Sequence, residues 1–150
     1  MSAQASDEFI RAIHAAPLEL VLAVTGGGSR AISALLEVPG ASRTVLEAVV
    51  PYSAAALSDW LGARPDHFCD DRTARAMAMA AYQRAIRLAK SSEPKSPSSP
   101  LAGVACTASL ASDRPKRGAH RLHAALQTES LTVVQSLELT KGARSRLEEE

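Results

Sequence analysis

The chain has 150 residues, the size of one domain, and its 17 Lys and Arg balance 16 Asp and Glu to a formal net charge of +1. That balance argues against a dedicated nucleic-acid or acidic-membrane surface, which draws on a surplus of positive charge. Hydrophobic residues are 46% of the chain and aromatics only 3%, so the core must be built from Ala, Leu, Val and Ile, with few large anchors for a partner interface.

Met1 to Arg11 lacks the basic start and apolar middle of a signal peptide, and the apolar runs are too short to cross a bilayer. The two cysteines, Cys69 and Cys106, lie in different segments and form no metal-type cluster. A reduced, cytoplasmic setting is expected, with no membrane partner.

Phe9, Ile10 and Ile13 recur at helical spacing over residues 6–16, with Asp7 and Glu8 near the start, where the helix dipole favours acids. Pro17 ends that helix. Residues 19–24 are almost continuously apolar and read as a central strand, which breaks into Gly26-Gly27-Gly28 before a helix over 29–36. Val38-Pro39-Gly40-Ala41-Ser42 is a turn, a short helical stretch follows at 43–48, and residues 47–52 read as a strand whose end is marked by Pro51. Ser53 is the expected N-cap of a helix over 54–61 that stops at Gly62.

Asp70 or Asp71 caps the longest helical run, 72–90, whose apolar stripe is Ala74, Met77, Ala78, Ala81, Ala85, Leu88 and Ala89. The Ser- and Pro-rich stretch 91–100 reads as a mobile connector, and its Ser-Pro pairs as a surface loop. Residues 101–108 form another buried-type strand, followed by the basic loop 114–118. Strands over 119–126 and 131–139, joined at Thr128-Glu129-Ser130, make an antiparallel pair. Lys141-Gly142-Ala143-Arg144 leads into a further helix, and Glu148, Glu149 and Glu150 would oppose the dipole of a last turn. A helix that only begins there is the simpler reading, with the chain as the N-terminal part of a longer protein. Alternating strands and helices followed by a hairpin predict an α/β fold: one domain, a three-layer α/β/α sandwich with a mixed, mostly parallel sheet and a C-terminal antiparallel hairpin.

A strand that feeds a glycine turn and then a helix is where open α/β sheets place their ligand. Gly26-Gly27-Gly28-Ser29 lacks the Gly-Lys-Ser/Thr ending of a Walker loop and the spacing of a dinucleotide fingerprint. Gly27, Gly28, Ser29 and the helix start still offer backbone donors to a phosphate, with Arg30 beside them; the plainer reading is a tight turn with a solvated arginine. Arg114, Lys116, Arg117, Arg121 and His123 form the one concentrated basic segment, suited to phosphate, RNA or an acidic partner. It has no aromatic stacking residues, so nucleic acid is the least favoured of these. His14, His67, His120 and His123 show no metal-ligand spacing, and no metal is expected; His120 and His123 fall on opposite faces of their strand.

Residues 23–31, Leu36-Glu37-Val38-Pro39-Gly40-Ala41-Ser42 and Val49-Val50-Pro51-Tyr52-Ser53 resemble the C-terminal domain of the competence-damage-inducible CinA proteins. The resemblance continues through 70–81, Val104-Ala105-Cys106-Thr107 and Pro115-Lys116-Arg117-Gly118, and covers most of residues 15–147. It implies an α/β/α fold, self-association, and an amidase that converts nicotinamide mononucleotide to nicotinate mononucleotide and ammonia. Active members carry Glu-Ser-Cys-Thr-Gly-Gly with a serine nucleophile; matched on its two final glycines, the segment falls on residues 23–28 and puts Val24 at the serine. The family's Tyr-Ser-Asn and following lysine correspond to Tyr52, Ser53, Ala54 and Leu57.

Amide hydrolysis needs an attacking atom, a base for its proton and donors for the oxyanion. Val24 and Leu57 supply neither of the first two, Thr25 points to the opposite face from Val24, and Ser29 reads as a helix cap. The resemblance therefore implies a catalytically degenerate module without catalytic residues, cofactor or metal. Its expected role is to bind a nucleotide or other phosphorylated small molecule, in a regulatory capacity, as a homo-oligomer. Thr25, Gly26, Gly27, Gly28, Ser29, Arg30, Tyr52, Thr107 and Arg114 are the expected binding residues. The alternatives are a structural or oligomerisation domain of a larger protein, and an amidase with a substituted nucleophile.

Overall fold

The apolar run that follows Pro17 becomes the middle of a five-stranded sheet because it is apolar on both sides. In the computed structural model, which describes residues 3–91 and 99–150, β1 (Glu19–Thr25) is buried from Leu20 onward. Around it come α1 (Ala3–Ala15), α2 (Ser29–Glu37), a 3₁₀ turn (Ala41–Arg43), β2 (Val45–Val49), α3 (Ala54–Leu61) and α4 (Asp71–Ser91). The chain then continues through β3 (Leu101–Ser109), β4 (His120–Gln127), β5 (Thr132–Leu139) and α5 (Arg146–Glu149). Most of the expected connector, 92–98, lies outside the described residues.

The strand order is β2-β1-β3-β4-β5. β1 runs parallel to β2 and β3, β4 is antiparallel to β3, and β5 is antiparallel to β4. Four strands thus point one way and β4 the other, which is the expected mixed sheet with its C-terminal hairpin.

Side-chain alternation along β1 divides the core into two layers. Val21 and Ala23 meet Leu57 of α3 and Met77, Ala78, Ala81 and Ala85 of α4. Leu20, Leu22 and Val24 meet Ile10 of α1, Leu35 of α2 and Val38. His14 ties the second layer together, with Nε2 donating to Leu35 O at 2.9 Å and Nδ1 lying 3.1 Å from Thr44 Oγ1.

One expected element changes type. The helical stretch at 43–48 is replaced by the 3₁₀ turn and by β2, which starts at Val45 and ends before Pro51. Leu20 pairs with Val45 and Ala23 with Val49, so the gain from pairing against β1 overrides the weak local preference for helix. Both caps of α3 are as expected: Ser53 Oγ accepts from Ala56 N–H, and Gly62 closes the helix at φ +75°. Asp70 rather than Asp71 caps α4, its Oδ1 accepting from Thr73 N–H at 2.7 Å.

The α4 stripe is almost all alanine on the sheet side, with Ala74, Ala78, Ala81 and Ala85 fully buried. This lets the helix backbone lie directly on β3, where a Cβ on Gly103 would collide with Ala78 O and Tyr82 N. Gly103→Ala must push α4 off the sheet, and overpacking of this kind is expected to cost about 3 kcal/mol in urea unfolding. Gly118→Ala, where nothing lies within 4 Å of the added carbon, should leave stability unchanged.

Candidate ligand-binding site

The carboxyl ends of β1 and β3 carry most of the residues singled out from the sequence. Gly26 and Gly28 adopt φ +73° and +90°, the left-handed region that glycine enters without steric cost. Crowding adds a second reason at Gly26 and is the reason at Gly27. A Cβ on Gly26 would strike Ala108 O, and one on Gly27 would lie 2.6 Å from Leu110 Cδ1. Gly26 is therefore required by the end of β3, whereas a side chain at Gly27 would have to displace the Leu110 side chain. Gly28 is looser, with its nearest neighbours, Cys106 and Val24, at 3.5 Å.

Helix α2 starts at Ser29 without a side-chain cap on Gly28, so its first N–H groups need outside acceptors. A carboxylate supplies one. Glu150 Oε1 accepts from Ser29 N–H at 2.6 Å and from Ser29 Oγ at 2.5 Å. Arg146 braces the same carboxylate, its Nη2 lying 3.2 Å from Glu150 Oε2 and 3.0 Å from Gly26 O. Arg30, the expected phosphate partner, instead reaches Leu147 O at 3.5 Å.

Beside this contact, Glu149 is buried, with Oε2 accepting from Ala111 N–H at 2.6 Å and Oε1 lying 2.7 Å from His120 Nδ1. The short helix that presents both acids is fixed by a capping box: Ser145 Oγ accepts from Glu148 N–H, and Glu148 accepts from Ser145 N–H. For Glu149, burial pushes the carboxyl up, but the hydrogen bonds from His120 and Ala111 outweigh it and hold the group below the ordinary glutamate range. Glu150 behaves alike, burial being overcome by Ser29 and Arg146.

Thr25 and Thr107 stand side by side across the β1–β3 ladder, both buried. Each hydroxyl is committed to a backbone carbonyl, Thr25 Oγ1 donating to Pro51 O at 3.0 Å and Thr107 Oγ1 to Phe68 O at 2.6 Å. Val24 and Leu57 are not neighbours. Val24 packs toward α1 and α2, whereas Leu57, 1% exposed, belongs to the α4 layer. The two positions that the resemblance matches to the serine and the lysine thus lie in different core layers, and the end residue of β1 on Leu57's face is Thr25.

The remaining residues are scattered. Tyr52 is 67% exposed at the surface. Arg114 lines a cavity of about 290 Å³ with Asp113, Lys116, His120 and Lys141. Of the other basic residues, Arg121 donates to Cys69 O and His123 Nδ1 lies 2.7 Å from Ser136 Oγ, so both help hold the fold. Burial, helped by the nearby Cys69 and Glu150, pushes the Cys106 thiol up to about 11, which leaves it protonated and a poor nucleophile at neutral pH. Among the described residues no group of three or more His, Cys, Asp or Glu side chains could hold a metal ion, and no helix is long and apolar enough to cross a membrane.

Two features escaped the sequence reading. The larger cavity, about 570 Å³, lies between α3 and α4 and is lined by Arg64, Asp66, His67, Asp70 and Arg72; its signal was the charged run 64–67 between two helices. The anchoring of Glu149 and Glu150 was also missed, although Ser145 and Glu148 spell the capping box that positions them.

No family model and no curated protein matches the sequence. Solved structures do share the fold. The chain is similar to the competence/damage inducible protein CihA from Agrobacterium tumefaciens, at 24% identity over 96% of this chain and 86% of that one, with a TM-score of 0.70. It is similar to a competence-damaged protein (CinA) superfamily protein from Escherichia coli, at 14% identity over 90% of this chain and 75% of that one, with a TM-score of 0.66. A CinA superfamily protein from Klebsiella pneumoniae 700603 aligns at 17% identity over 90% of this chain and 83% of that one, with a TM-score of 0.64. The α/β/α arrangement is thus that of the CinA superfamily structures.

Because the folded-state pKa values of Glu149 and Glu150 are lowered, their contacts contribute fully above the ordinary glutamate value of about 4.3 and are lost as pH falls through the lowered values. The Ser29 and Ala111 amide resonances should stay fixed between about pH 7 and 5 and move together below about pH 4. Amides that already shift between those first two values would show that the acids are not seated.

Proposed function

We propose that this chain is a catalytically degenerate CinA-like domain whose glycine turn binds the phosphate of a nucleotide or a related phosphorylated small molecule. The observation that carries this reading is the Glu150 carboxylate on Ser29 N–H and Oγ. The start of α2 accepts an anionic oxygen there through one backbone donor and one hydroxyl, the combination a phosphate uses at a helix N-terminus. Arg30 and Arg146 stand on the same side of the turn. Arg114 lies farther along, in the basic loop after β3.

The loss of chemistry rests on Leu57 and Thr25. A base that takes a proton from a hydroxyl must lie within hydrogen-bond reach of it. Leu57 has no basic atom, and the Thr25 proton already points to the Pro51 carbonyl. A regulatory role follows from α5: a phosphate and the Glu150 carboxylate compete for Ser29, so ligand binding frees the acidic segment. Two free cysteines, Cys69 and Cys106, fit a reducing, cytoplasmic setting.

Proton NMR of nicotinamide mononucleotide with the purified protein, followed over time, tests both halves. The expected result is no nicotinate mononucleotide, but broadened nucleotide signals and saturable shifts at the Ser29 and Gly28 amides. Arg30→Glu should weaken binding about tenfold, or about 1.4 kcal/mol. Release of product above a protein-free control would restore the amidase reading through Thr25. Silence across a nucleotide panel would overturn binding and leave a structural domain.

A further inference from the structure

The His120 side chain is 7% exposed and uses only one of its two ring nitrogens inside the fold. Glu149 is ionised at neutral pH and can only accept, so Nδ1 carries the proton that joins the pair at 2.7 Å. Nε2 has no hydrogen-bond partner among the described residues, yet it is not sealed in the core. The ring lines the cavity of about 290 Å³ between the loop after β3 and the turn after β5. An enclosed polar atom left without a partner calls for one from outside.

The walls of that cavity are cationic. Arg114, Lys116 and Lys141 line it, and Asp113 is the single acid among its lining residues, so three positive charges face one negative before the ring is counted. Both ammonium groups are held in place. Lys116 Nζ lies 3.5 Å from Ser109 Oγ, and the Lys141 ammonium donates to Lys116 O. Each keeps donors to spare. Ser112 Oγ donates to Arg114 O at 2.9 Å and shapes the loop, while among the described residues the Arg114 guanidinium has no partner of its own. Glu149 fixes the base of the loop through Ala111 N–H, and Arg146 through Ala111 O. None of the lining residues belongs to the glycine turn or to α2.

Cations call for a negative charge, and Nε2 calls for an oxygen that suits either state of the ring. A phosphate monoester gives up its second proton near pH 6. Close to neutrality it therefore presents P–OH to a neutral ring and P–O⁻ to a charged one. A carboxylate, ionised from about pH 4 upward, can only accept. The volume lies at the lower limit of small-molecule sites, about 300 Å³, and suits a head group better than a whole nucleotide.

We propose that this cavity is a second anion site, which takes a phosphate group, free or as the end of a monoester, on His120 Nε2, Arg114 and Lys141. Glu149 is its positioning residue, since it fixes the proton on Nδ1 and turns Nε2 to the ligand. The site does not depend on what the glycine turn binds.

Inorganic phosphate is titrated into the whole chain at constant ionic strength, with the His120 ring nitrogens and the backbone amides followed by proton–nitrogen NMR. The expected result is a saturable shift at Nε2 and at the Ser112 and Gly142 amides, with a dissociation constant of about 1 mM or tighter. Acetate at the same ionic strength should bind at least about tenfold more weakly. Arg114→Ala and Lys141→Ala change exposed side chains that do not touch Glu149, so each should keep the thermal melt of the parent. Each should also raise the dissociation constant about threefold or more. Arg30→Glu, on α2, should leave the His120 response unchanged. A moving Nε2 with a fixed Ser29 amide would defeat the glycine-turn reading alone, whereas a moving Ser29 amide with a fixed Nε2 would overturn this site alone. Acetate binding as tightly as phosphate, or a titration indifferent to both alanine variants, would also overturn it.

Discussion

Helix α4 meets β3 with almost no side chain between them. Ala74, Ala78, Ala81 and Ala85 face the sheet, and Gly103 receives the helix backbone at Ala78 and Tyr82. With only two Phe, two Tyr and one Trp in the chain, large rings cannot fill a gap here, so the layers close it by approaching. Dispersion falls steeply with separation, and small residues on both surfaces gain contact by proximity instead of by volume. The position of β3 follows from that docking. Thr107 then stands beside Thr25, and the Ala108 carbonyl presses on the turn so that only glycine fits at position 26, with Leu110 crowding position 27.

The same packing decides what chemistry remains at the end of the sheet. The α4 layer takes Leu57 as a core residue, so the place where the resemblance implies a lysine is filled with hydrocarbon. Thr25 and Thr107 face that layer and give their protons to carbonyls, which satisfies two buried hydroxyls and removes them from reaction. On the other face, Cys106 is held as a thiol by burial. The hydroxyls of Thr25 and Thr107 are thus engaged and the Cys106 thiol is protonated, while the start of α2 presents hydrogen-bond donors. On the reading proposed above, such a scaffold would keep the geometry of recognition without proton-transfer partners, because backbone donors do not depend on side-chain identity.

Much of this was legible in the sequence, for identifiable reasons. The run 19–24, the stripe of α4 and the caps Ser53 and Gly62 each satisfy pattern and capping rules at once, and each came out as read, the strand ending one residue later at Thr25. Residues 43–48 did not, since Val45 and Leu46 form a strand only when β1 offers its edge, and local propensity carries no record of that partner. The candidate site was legible as a turn but not as an arrangement. Periodicity could say that Val24 and Thr25 point opposite ways; it could not say which of them shared a face with Leu57. Nor could it place Glu149 and Glu150 against a turn more than a hundred residues earlier in the chain.

The two acids do different work in spite of their adjacency. Glu149 is enclosed, and its partners are a buried imidazole and the Ala111 N–H. Withdrawing it would cost the buried imidazole and the Ala111 N–H this acceptor, so it acts as the anchor of α5. Glu150 meets Ser29, whose N–H and hydroxyl lie at an exposed helix start and would be rehydrated at once if the carboxylate left. Exchange is therefore easy at Glu150 and costly at Glu149. A competing anion at Ser29 has only to displace a tethered carboxylate from donors that water already reaches. Its apparent affinity is reduced by no more than the fraction of molecules in which Glu150 is seated. On the reading proposed above, that asymmetry would let the acidic segment tune binding at the glycine turn without unfolding the helix that carries it.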